Sequence, residues 1–65
     1  MDINDVVVLK IDLPEENLKK GMRGVIVTVF DDPDLAYEVE FCSDSGETIV
    51  EIALKPEQIR PSLKS

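Results

Sequence analysis

Tyr37-Glu38-Val39-Glu40-Phe41 alternates apolar and acidic residues with a period of two. In an extended strand this puts Tyr37, Val39 and Phe41 on one face and both glutamates on the other. Such a strand covers a core with one face and meets solvent with the other, so its neighbours must supply matching partners. On the C-terminal side, Ser43-Asp44-Ser45-Gly46 offers a tight hairpin turn. Thr48 to Leu54 then returns antiparallel, with Val50, Ile52 and Leu54 inward and Glu51 outward. On the N-terminal side, Gly24 opens Val25-Ile26-Val27-Thr28-Val29-Phe30, which is mostly β-branched, and Asp31-Asp32-Pro33-Asp34 closes it with turn-favouring residues.

Farther out the signals are shorter. Val6-Val7-Val8-Leu9 is β-branched and too brief for a helix, which places a first strand at about residues 5 to 11. Pro14 to Lys20 reads as a loop with room for one helical turn, closed by Gly21 and Gly24. Lys55-Pro56-Glu57-Gln58-Ile59 has proline placed for a first helical position and length for a single 3₁₀ turn, after which Arg60-Pro61 starts a brief closing strand suited to an edge. The expected architecture is one all-β domain over residues 1–65, a small SH3-like barrel of about five strands with a single 3₁₀ turn before the last.

Two stretches carry a family resemblance. Lys19-Lys20-Gly21-Met22-Arg23-Gly24-Val25-Ile26-Val27 resembles the glycine-flanked turn entering a strand of SH3-like and KOW-type barrels, and Leu54-Lys55-Pro56-Glu57-Gln58-Ile59-Arg60-Pro61 resembles the 3₁₀ turn before their last strand. Together with Asp5 to Leu9, Asp12-Leu13-Pro14, Phe30 to Pro33 and Tyr37 to Phe41, they make nearly the whole chain similar to a bacterial family described as domain of unknown function number 4926. The resemblance implies an SH3-like fold and a bacterial origin, and it supplies no catalytic or binding residues. By analogy with short companions of toxins, it raises an immunity or antitoxin role.

Composition narrows the function. At 65 residues the chain is too small for a deep substrate cavity. Fourteen acids against seven bases give a net charge of -7, a field that repels phosphate backbones and anionic membranes, so no nucleic-acid or membrane partner is expected. Met1-Asp2-Ile3-Asn4-Asp5 lacks the basic start of a signal peptide, and no apolar run approaches the roughly 20 residues of a membrane helix, so a cytoplasmic location is expected. Cys42, the only cysteine, allows no intrachain disulfide.

Catalytic signals are weak, and neither an enzyme activity nor a cofactor is expected. With no histidine, the commonest general base and transition-metal ligand are missing. The thiol of Cys42 lies between Glu40 and Asp44, whose charges disfavour a thiolate. Asp31, Asp32 and Asp34 lack the spacing of a calcium loop, and Glu38 and Glu40, about 7 Å apart on one strand face, have no cleft to desolvate them. Phe30, Tyr37 and Phe41 are too few for a proline-peptide groove, since two of the three belong in the core.

Charge segregation is the most informative pattern. From Gly24 to Leu54 there are eight acids (Asp31, Asp32, Asp34, Glu38, Glu40, Asp44, Glu47, Glu51) and no base. Such a block serves either as a solvated face or as a surface that steers a basic partner. The expected function is a non-enzymatic module that binds a basic protein partner through Asp31, Asp32, Asp34, Glu38, Glu40 and Glu51. The alternative is an accessory protein acting as a homo-oligomer. If Val7 and Leu9 point inward, Val6 and Val8 do not, and Val25 and Val27 compete with Ile26 for the core. Either Val6, Val8, Val25 and Val27 form an exposed self-association patch, or a bulge near Val27 lets the second strand serve both sides.

Overall fold

The structure, a computed structural model, describes residues 1–43 and 45–62. Among the described residues, five strands form one antiparallel sheet: β1 (Val6–Leu9), β2 (Arg23–Phe30), β3 (Ala36–Cys42), β4 (Thr48–Leu54) and β5 (Ile59–Pro61), in the spatial order β4-β3-β2-β1-β5. The all-β expectation holds. The 3₁₀ turn expected before the last strand is Pro56–Gln58, with the side-chain Oε1 of Gln58 accepting from the Lys55 amide at 2.7 Å. A second 3₁₀ turn, Pro14–Glu16, occupies the loop where one helical turn was expected.

The sheet is open, because its edge strands β4 and β5 do not pair with each other. It is nevertheless strongly curled. In a flat five-stranded sheet the two edges stand about 19 Å apart. Leu54 ends β4 and Ile59 begins β5, and a linker with one 3₁₀ turn reaches about 15 Å at full stretch. The same curl lets one face enclose its own core. Val7 and Leu9 of β1, Ile26 of β2, Tyr37, Val39 and Phe41 of β3, Leu54 of β4 and Ile59 of β5 form a single cluster, closed by Leu18 from the β1–β2 loop. Val50 and Ile52 pack against it half-buried, as their inward alternation requires.

Register explains the valines. On β2 and β3, Ile26 faces Val39 but Thr28 faces Glu38, so Val27 is inserted without a cross-strand partner. This bulge near Val27 shifts the alternation and returns Val29 to the core side opposite Tyr37. The valines of the other reading keep only part of their surface in solvent: Val6, Val25 and Val27 are half-buried and Val8 is buried. Val8 stays outside the core cluster but lies directly between Arg23 of β2 and Arg60 of β5, whose aliphatic stems can lie along it.

Gly24 is buried opposite Phe41, where a Cβ would come within 2.6 Å of Val39 Cγ1 and 3.0 Å of the Glu40 carbonyl oxygen. Only a residue without a side chain lets β2 approach β3 there. Gly21, at φ +96°, turns the chain into β2 and donates its amide to the Leu9 carbonyl at 2.8 Å.

Candidate interaction surface

The outer face of the sheet is built by the residues that alternate with the core. On β3 these are Glu38 and Glu40, and on β4 Glu51. Glu40 stands directly opposite Glu51, while Glu38 stands opposite Ala53 and so lies diagonal to Glu51. Glu38 and Glu40 are half-buried and Glu51 is exposed. The Glu38 carboxylate, which accepts a hydrogen bond from Glu51 in its protonated form, then some desolvation and the Glu38 charge hold the Glu51 carboxyl above its ordinary value. The three glutamates expected at a partner surface therefore share one patch.

The three aspartates do not join that patch directly. Asp31, Asp32 and Asp34 are exposed in the β2–β3 loop, and only Glu38, two residues into β3 from Ala36, stands near their end of the sheet. Asp44 lies outside the described residues. Among the described residues, no group of three or more carboxylate or thiol side chains is arranged to hold a metal ion.

Cys42 is exposed on the same face, its Sγ 3.6 Å from Glu40 Oε1. Desolvation first, then the hydrogen bond and charge of Glu40, push its thiol up, against a lowering hydrogen bond with Thr48. The expected effect of Glu40 is present, and the arrangement suits an inert thiol rather than a nucleophile.

The sequence reading missed the opposite half of this face. Arg23 and Arg60 stand on either side of Val8, and Lys10, Lys20 and Arg60 border a second shallow depression beside it. Bases that sit at the two ends of the chain become neighbours because β5 pairs with β1. The available signal was alternation: Arg23 precedes the core-facing Gly24 and Arg60 follows the core residue Ile59. Between the acidic and basic halves, Val6 faces Val25 and Val25 faces Glu40. A shallow depression there is lined by Val6, Arg23, Gly24, Val25, Glu40 and Cys42.

The family model described as Domain of unknown function (DUF4926) matches residues 3–61. The chain belongs to this family. DUF4926 membership covers every strand and both 3₁₀ turns, so the surface described above lies wholly within the family's span. No curated protein and no solved structure matches the chain. Among the described residues, no helix of this DUF4926 chain is long and apolar enough to cross a membrane.

Proposed function

We propose that this DUF4926 chain is a non-enzymatic protein-interaction module whose acidic face, Glu38, Glu40 and Glu51 with the neighbouring loop acids Asp31, Asp32 and Asp34, receives a basic protein surface. The observation that carries the reading is the register that sets Glu40 against Glu51 with Glu38 diagonal to the same residue. Like charges directly across a ladder destabilise it by a fraction of a kcal/mol. No base lies between Gly24 and Leu54 to offset them locally. A cationic partner would relieve that repulsion and be steered by the field of a chain at net charge -7.

The order β4-β3-β2-β1-β5 and the short 3₁₀ link between edges support an SH3-like reading of the curled sheet. The lone free thiol fits a reducing cytoplasm. A role like that of an immunity or antitoxin protein, which covers the basic surface of another protein, is one biological form this chemistry would take.

The test is affinity capture by the tagged protein from its host at low and high salt, beside an Asp31→Lys/Glu38→Lys/Glu40→Lys variant. The expected result is a partner with a basic surface that is released by salt and absent from the variant. Identical capture by both proteins, insensitive to salt, overturns the reading.

A further inference from the structure

A basic surface lies on the same face of the molecule as the acidic patch. Arg23 and Glu40 both line the central depression, each next to Val25 with Val6 on its far side, yet they make no ion pair with each other. Arg60 extends positive charge from Arg23 across Val8 on one side, and Glu51 and Glu38 extend negative charge on the other. A face divided in this way is complementary to a rotated copy of itself. In a two-fold interface, if residue i meets residue j, then j meets i.

We propose that the outer sheet face docks a second copy of this chain about a two-fold axis through the Val6–Val25 depression, with Glu40 of each copy beside Arg23 of the other. This inference rests on the acidic-face reading and names as its partner the basic half of a second copy, whose arginines act locally against the repulsion between two chains of net charge -7. The half-buried Val6 and Val25 form the apolar centre, and the charges form the rim. A standard interface takes about 800 Å² from each partner, and the whole molecule offers 4547 Å². Joining two copies through this face also gives the Glu38–Glu40–Glu51 group the counter-charges that β2, β3 and β4 do not provide after Gly24.

The experiment is the concentration dependence of mass by sedimentation equilibrium at low salt, for wild type, Glu40→Arg, Arg23→Glu and an equimolar mixture of the two variants. Wild type is expected to dimerise, each variant alone to dissociate about tenfold more readily through like-charge contacts, and the mixture to form a heterodimer as tight as wild type. Circular dichroism checks that each variant is folded, and recovery in the mixture excludes misfolding as the cause of dissociation. A wild type that stays monomeric overturns the second-copy inference. So does a dimer that both variants leave unchanged, which would instead indicate pairing through the free edge of β4. Neither result touches the acidic-face reading, which fails separately if the capture experiment returns no salt-sensitive partner lost on reversal of the acids.

Discussion

Single residues show two different reasons for which a side chain is forbidden or disturbed. At Gly24 the constraint is space: an added Cβ would meet Val39 Cγ1, the Glu40 carbonyl and Phe41 Cδ1 within 3.0 Å. Gly24→Ala should therefore cost about 1–3 kcal/mol through overpacking, read from the midpoint of urea unfolding. At Glu51 the constraint is charge. Its carboxyl is held above its ordinary value by Glu38, so in the window just above that value the folded state binds more protons than the unfolded chain. Stability from this group is thus greatest below the window and falls as pH rises through the raised value. Glu51→Gln should flatten that fall in thermal melts followed from acid to neutral pH, and an unchanged slope would mean that the repulsion is fully screened by solvent.

The β1–β2 connection shows that a loop with a single 3₁₀ turn can still close the core. Leu18 is 1 % exposed and is locked by paired backbone hydrogen bonds with Leu13, the Leu13 amide donating to the Leu18 carbonyl at 2.9 Å and the reverse bond measuring 3.1 Å. The Asp12 carboxylate accepts from the Lys20 amide at 2.8 Å and fixes the loop's far side. Leu18→Ala should destabilise by about 2–5 kcal/mol, enough to unfold much of so small a domain at room temperature. Ile11→Ala, at an exposed position of the same loop, should stay within about 0.5 kcal/mol. Equilibrium unfolding of the pair separates packing by the loop from mere coverage. Leu18 was legible only as the apolar residue between Pro14 and Gly21, because nothing in a polar loop sequence says which way it folds back.

At the scale of the molecule, charge distribution opposes compactness. A net charge of -7 on a 65-residue chain repels itself, and the acids of β3 and β4 are concentrated on one face. In dilute solution, where self-association is negligible, added sodium chloride should raise the melting temperature by a few degrees by screening that repulsion. A melting temperature that is flat or falling with salt would show that local ion pairs outweigh the net field. Salt thus acts in opposite directions on the two properties: it stabilises the folded monomer and weakens docking to a cationic surface.

Alternation by itself determined most of the sheet. Tyr37 to Phe41, Thr48 to Leu54 and the β-branched run after Gly24 each declare a face, since a pleated strand must put every second side chain on the same side. The turn before β5 was equally legible in Pro56. Tertiary structure alone decided the rest. The bulge at Val27 depends on how two strands align, Val8 is buried between strand partners 15 and 52 residues away, and the basic half of the outer face exists only because β5 returns beside β1. These are properties of register and strand order, which arise between segments and are written in no single one of them.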